Sequence, residues 1–421
     1  MRQSGRRNDA FRLVHIIILP RCTRTFELPE SEYESRLEKL RVLLERKGLS
    51  AAYISSTTSF KYFVGYSYLA TERPAALIVS AGGDIFFFGP VMERDHLFTQ
   101  TKLVKQAFTY RDYPGDKHPM RFFAEWLKQL GLSDKKIGVD SSSFYSSSWG
   151  YKGISLGELE PSIKFTMIGE ELYSMRLIKS RNEQELIRES VKWGAVGHRL
   201  LEKYTQPGLY DFEVAAKASL EASLEMKRAL GDRYKAKNWS MTPVHAGFRG
   251  QVGEHSAYPH SISVERPIRK GDVLGTGASA DADGYHSELE RNMFVGKPSE
   301  ECVKYHGLML KMQDTALAAI KPKGKCSDVD KAVDRFAKEN GLNEYVLHHT
   351  GHAMGLEGHE APFFDLGDDT RIEPGMVFSV EPGLYIPGLG GFRHSDTILI
   401  KEDGIEVLTK YARDTDSLVI L

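Results

Sequence analysis

The sequence predicts an α/β (α+β) protein of two unequal domains, and three observations carry that expectation. Its 421 residues are more than one ordinary core spans. Hydrophobic content of 41% with 27% charged residues describes a globular chain, neither disordered nor fibrous. Helical and strand periodicities alternate along the chain from about Ser31, and the composition shifts near Tyr173–Ser180. The expected division is an extension over 1–27, a smaller α/β domain over 28–172 and a larger domain over 173–421.

Charge and cysteine content exclude several function classes. With 56 basic against 57 acidic residues the net charge is −1, which gives no electrostatic footprint for nucleic acid or an anionic membrane. Cys22, Cys302 and Cys326 are too few and too scattered for a zinc pattern or a disulfide framework, as expected in a reducing cytoplasm. No stretch approaches the 18 apolar residues of a membrane-crossing helix. Arg2, Arg6, Arg7 and Arg12 precede the short apolar run Val14–Leu19, which is too short for a signal-peptide core. The segment reads as a disordered extension or an early start codon.

The elements follow in order. Ser31-Glu-Tyr-Glu34 is a capping-box pattern that opens an amphipathic helix through Arg46. Ala51–Ser55 reads as a strand, Ala75–Ser80 and Ile85–Phe88 as a hairpin, Met120–Leu130 as a helix and Lys136–Asp140 as a buried strand. Nothing in this part gathers catalytic groups; His96 and His118 are isolated. Beyond the composition shift, helices are predicted over Asn182–Tyr204 and Asp211–Leu230. The segment Leu200–Gly208 with its following helix resembles Ala316–Gly324 with the helix Asp328–Glu339. Two such αα-then-β halves would place a site at their junction.

Candidate chemistry lies in the β-rich parts of those halves. Val273–Ala280, the turn Asp281–Gly284 and Tyr285–Val295 form a predicted hairpin whose alternation puts His286, Glu288, Glu290 and Asn292 on one face. Two buried carboxylates there require a proton, Arg291 or Arg393, a cation or a cationic substrate to neutralise them. His348–Pro362 gathers four histidines and two glutamates in 15 residues and reads as an active-site loop. Glu381 ends a predicted strand, and Gly391–Ile400 is predicted as one strand with Arg393, Ser395 and Thr397 on one face.

Several of these stretches resemble one superfamily, that of methionine aminopeptidase, aminopeptidase P, prolidase and creatinase, with its pita-bread fold. They are Pro259-His260, Gly284–Arg291, Gly351–Leu356, His359-Glu-Ala-Pro362, Val380–Gly383 and Gly391-Phe-Arg393. The resemblance implies a pseudo-twofold catalytic domain behind a creatinase-type N-terminal domain, commonly as a homodimer. It also implies five metal ligands for two divalent ions, and here the matching positions are Gly277, Glu288, His352, Glu381 and Ser395. Two ligands are therefore replaced, and Glu288, His352 and Glu381 remain for a single Mn, Co or Zn, or for none. His260, Glu290, His359 and Glu381 match catalytic positions, and His349 and Arg393 are expected to bind substrate.

Three functions follow as expectations. The first is a C–N hydrolase resembling the Xaa-Pro peptidases, acting on small peptides with at most one metal. The second is a metal-independent, creatinase-like hydrolase of a small amidine or amide, in which Glu290 grips a cationic group. The third is a non-catalytic binding protein on the same fold. None implies a nucleic-acid or membrane partner.

Overall fold

The computed structural model describes residues 27–144, 153–234, 237, 242–262 and 266–420. The expected N-terminal extension lies almost wholly outside them. A six-stranded sheet forms the first domain, in the order Gln106–Tyr110, Ile85–Pro90, Ala76–Ser80, Ala51–Ile54, Lys136–Val139, Lys164–Met167. The hairpin Ala76–Ser80/Ile85–Pro90 is antiparallel, whereas Ala51–Ile54 runs parallel to Lys136–Val139. Rings of Phe86, Phe88, Phe108, Phe123 and Trp126 fill one face of this sheet with edge-to-face contacts.

The first helix spans Glu30–Lys47, and Pro29 stands at its N-cap position with no side-chain cap. The predicted capping box at Ser31 is thus displaced. The proline supplies the fixed backbone angle that lets the helix begin one residue earlier. By contrast Ser180 and Glu183 make a complete capping box that opens the helix Arg181–Tyr204. The short helices Thr57–Val64 and Val91–Gln100 have no clear periodic signal in the sequence.

In the second domain a nine-stranded sheet carries the site. Its main path runs Glu360–Phe364, Gly351–Ala353, Val377–Val380, Ser395–Lys401, Leu289–Val295, Val273–Ala280, Val244–Gly247. The helix pair Arg181–Tyr204/Asp211–Leu230 accompanies the last strands, and Glu300–Ala319/Cys326–Glu339 accompanies the first ones. These are the two αα-then-β halves. They join where Ser395–Lys401 pairs antiparallel with Leu289–Val295, with Ser395 opposite Glu290.

Two predicted strands are interrupted. The hairpin turn at Asp281–Gly284 forms as expected, but regular pairing resumes only at Leu289. His286 consequently leaves the face shared by Glu288 and Glu290, and its backbone N–H donates to Gly355. The predicted strand Gly391–Ile400 breaks at His394 into Gly390–Arg393, paired with Gly383–Ile386, and Ser395–Lys401. The His348–Pro362 segment, read as a loop, contains Gly351–Ala353 and the start of the Glu360–Phe364 strand. Gly351 is required there: an added Cβ would lie 2.1 Å from the Ser379 carbonyl oxygen.

A buried polar network binds the two domains. Arg36, only 2% exposed, donates to the Tyr62 carbonyl at 2.8 Å and to the Tyr285 hydroxyl at 3.1 Å, and pairs with Glu183 at 3.2 Å. Tyr285 in turn donates to Glu183 at 2.7 Å. Removing the cation strands a buried carboxylate. Arg36→Ala is therefore expected to cost on the order of 3–5 kcal/mol. A chemical-denaturation midpoint indistinguishable from wild type would contradict this.

Candidate active site

The site lies on one face of the sheet at the junction of the halves. Cross-strand partners share a face, and the register places His352 opposite Ser379, Ser379 opposite Thr397, Ser395 opposite Glu290 and Glu290 opposite Gly277. Glu288 and Glu381, each just outside a regular strand, bring two more carboxylates into the same space. Acceptor atoms of Glu288, Glu290 and Glu381 lie within 4.8 Å of one another, as do ligand atoms of Glu288, His352 and His359.

Three acids this close require neutralisation, and arginines supply part of it. Arg393 grips Glu290 through Nε and, at 2.7 Å, through Nη2; Arg249 adds a third bond at 2.9 Å. Arg393 Nη1 also donates to the Tyr385 hydroxyl at 3.1 Å. That hydroxyl donates to His348 Nε2 at 2.7 Å, because His348 Nδ1 is used on the His349 carbonyl. Burial raises the Tyr385 hydroxyl to about 12, although the neighbouring Arg393 opposes the rise. The expectation that Glu290 is free to grip a cationic substrate is corrected here: its oxygens are already taken by two guanidiniums.

Glu288 is held differently. Its Oε1 accepts from Ser379 Oγ at 2.9 Å and from Ser395 Oγ at 2.6 Å. Ser395, expected from the resemblance at a metal-ligand position, thus spends its hydroxyl on Glu288.

His352 is fully buried. Its Nδ1–H donates to the Ala353 carbonyl at 3.0 Å, which turns Nε2 toward Glu381 at 3.1 Å and Glu288 at 3.6 Å. Nε2 is off the line of a hydrogen bond to either and has no hydrogen-bond partner. Burial alone would depress this imidazole. The contact with Glu381 and the charge of Glu288 outweigh it and push the group up to about 9. Glu381 resists protonation for the reciprocal reason: burial raises it, but His352 and Arg393 bring it below the usual carboxylate range.

The predicted histidines separate on folding. His359 stacks on His352, with ring centroids 3.8 Å apart and planes 20° from parallel, and it reaches solvent. Its imidazole is depressed by burial and by the proximity of His352. Glu360 anchors this segment through Arg176 at 2.5 Å and Lys179 at 3.0 Å. His260 is exposed, and no hydrogen bond or ion pair among the described residues joins it to the carboxylates. His349 faces away, 3.8 Å from Asp365 beside a cavity of about 350 Å³ lined by Asp330 and Asp334. Its expected contact with substrate at the carboxylate cluster is therefore corrected, because its ring lies against Phe363 and toward Asp365 instead.

Sequence reasoning missed Arg249, Tyr385 and Ser379. Ser379 had a signal, since it lies two residues before Glu381. Arg249, between Phe248 and Gly250 in an irregular segment, had none.

The donor chemistry fits one divalent ion. An imidazole Nε2 without a partner, directed at two carboxylates, is a ready ligand set with His359 adjoining. It does not fit two, since Gly277 has no side chain, Ser395 offers a neutral hydroxyl, and the oxygens of Glu290 are engaged.

Comparison with known proteins agrees with this architecture. Residues 185–402 match metallopeptidase family M24, and residues 36–178 match the creatinase/prolidase N-terminal domain. The Xaa-Pro dipeptidase of Pyrococcus furiosus is 28% identical over 381 residues, covering 90% of this chain and 99% of that one. A solved dipeptidase from Pyrococcus horikoshii superposes with a TM-score of 0.72 at 29% identity, covering 92% of this chain and 100% of its own. The solved prolidase of Pyrococcus furiosus gives a TM-score of 0.71 at 25% identity, covering 89% and 100%.

The raised His352 imidazole has a pH consequence. Its folded value, about 9, exceeds the ordinary 6.5, so its stabilising pairing is fully present below pH 6.5 and lost as pH rises through 9. In chelator, the denaturation midpoint of the wild type should fall over that interval relative to His352→Asn. Parallel pH profiles for the two proteins would refute the pairing.

Proposed function

We propose that this chain, which belongs to metallopeptidase family M24, is a prolidase-like hydrolase of C–N bonds that acts on small Xaa-Pro peptides with at most one divalent metal. The observation that carries this reading is the cluster of Glu288, His352, His359 and Glu381, four groups able to bind a metal or move a proton, on a sheet face open to solvent through His359. Glu288 and His352, with Glu381 or His359, would hold the metal. When bound, it would polarise the scissile carbonyl or lower the pKa of its water.

The remaining steps belong to this chain's own residues. Glu381, buried and held ionised, takes a proton from the attacking water and returns it to the leaving amine. His359 lies at the solvent side of His352 and donates to the developing oxyanion. Arg393, fixed by Glu290 and Tyr385, keeps the Glu290 charge balanced while substrate enters. Arg249, half-exposed, presents guanidinium N–H groups to a substrate carboxylate. His260 would join only if its loop approaches the cluster with substrate bound.

A second reading, metal-independent hydrolysis of a small amide or amidine, is favoured by one observation. The three carboxylates face Arg393, Arg249 and a protonated His352, so the site is electrically balanced with no metal at all. We further place the protein in a reducing cytoplasm, in keeping with the free, buried Cys302 and Cys326. A homodimer is supported by exposed Phe212, Leu220 and Leu224 on one outer helix. Among the described residues no helix is long and apolar enough to cross a membrane.

The deciding experiment follows Xaa-Pro dipeptide and cyclic or linear amidine hydrolysis with Mn²⁺ and with chelator. The peptidase reading expects dipeptide turnover that chelator abolishes. Amidine turnover indifferent to chelator would replace it with the second reading. Glu381→Gln should lower kcat by about 10² to 10⁴ under either chemistry; a rate equal to wild type would remove the role given to that residue.

A further inference from the structure

Glu290 stands at the centre of the sheet face that carries the carboxylates. It is paired across the sheet with Gly277 on one side and Ser395 on the other. All three side-chain positions therefore point into one space. A Cβ built at Gly277 would lie 3.5 Å from Glu290 Oε1 and 3.6 Å from its Cγ. The Glu290 carboxylate thus sits over Gly277, in the volume a side chain at 277 would enter. On the other flank the Ser395 hydroxyl is spent on Glu288 at 2.6 Å.

The carboxylates of Glu288, Glu290 and Glu381 are close enough to hold a dication. What meets Glu290 instead is guanidinium. Arg393 binds both of its oxygens, and Arg249 binds Oε1 at 2.9 Å. Arg393 is itself 8% exposed and lies 3.8 Å from Glu381. An ion entering this group would compete with both arginines for the same oxygens and be repelled by their charges. The backbone of Arg249 supports a built contact: its φ of +48° is left-handed, a conformation unfavourable to a residue with a side chain.

We infer that the Glu290–Arg393–Arg249 triad stands where a second divalent cation would bind, so that the chain takes no more than one, on Glu288 and His352 with Glu381 or His359. The inference rests on the metallopeptidase reading for its expectation of a metal. Its readout is a metal count, not turnover: failure on every peptide would sink the proposed function and leave this count standing.

The test loads the full-length protein with excess Mn²⁺, removes free ion by gel filtration and counts metal by plasma mass spectrometry. At most one ion per chain is expected, and two would overturn the inference. The variant G277D/E290T/S395E exchanges the central carboxylate for side chains at both flanking positions, and should bind one ion per chain more than wild type. An unchanged count in a variant that melts cooperatively would overturn the inference. Should that variant fail to fold, R249Q at the half-exposed rim provides the check. Loss of one guanidinium charge should tighten Mn²⁺ binding several-fold by titration calorimetry at unchanged stoichiometry, whereas an unchanged Kd would overturn the role of the triad.

Discussion

Three carboxylates brought within 4.8 Å of one another at the junction of two half-domains set the terms for the rest of the site. Such a group is tolerated in a protein only with opposing charge close by. Arg393, Arg249 and the raised imidazole of His352 provide it, one positive group for each acid. A single dication would leave an excess of only one positive charge, because binding would release the His352 proton as the ion arrives. A second would leave a large excess of positive charge in a largely buried space.

Behind the cleft a second polar layer keeps the strand ends in place. Gln313 donates to the Val380 and His394 carbonyls and to Asp396 Oδ2, tying together the chain segments that carry Glu381 and Ser395. Arg291, fully buried, donates to Asp396 at 2.7 Å and to the Ser395 carbonyl at 3.1 Å. His306 and His394 face each other at 3.1 Å, and both are depressed by burial, so both stay neutral. Each of these contacts crosses the junction between the halves or lies against it. Preorganisation of the cleft therefore comes from within the half that carries Glu381 and Ser395, through Gln313 and His306, and from across the junction through Arg291, as expected when catalytic groups must be held to within a fraction of an ångström.

Much of this was legible in the sequence, and the parts that were not share a cause. Periodicity found the helices Arg181–Tyr204 and Asp211–Leu230 within a residue, because long amphipathic faces average out local noise. The helix pairs and the hairpin turn at Asp281–Gly284 followed from strong local signals. The break at His394 did not: residues 390–401 alternate well enough for one strand, and only the buried pairing of His394 with His306 shows why the chain turns there. Local pattern does not separate His348, His349 and His352 in their dense cluster; only the family resemblance assigned His352 to metal and His349 to substrate. Strand pairing sends His352 into the cleft, His348 onto Tyr385 and His349 toward Asp365.

Arg249 and Glu290 show the limit of positional reading most clearly. Read position by position, the acid expected at 277 is simply lost. Read in three dimensions, a carboxylate lies over Gly277 all the same, reaching across from the next strand. Directly paired strand residues have Cβ atoms about 4.5–5.5 Å apart, a span that a glutamate side chain covers with its two methylenes. An acid reaching in from the neighbouring strand fills nearly the same space in a different electrostatic setting, because this carboxylate faces Arg393 and Arg249 as well as Glu288 and Glu381.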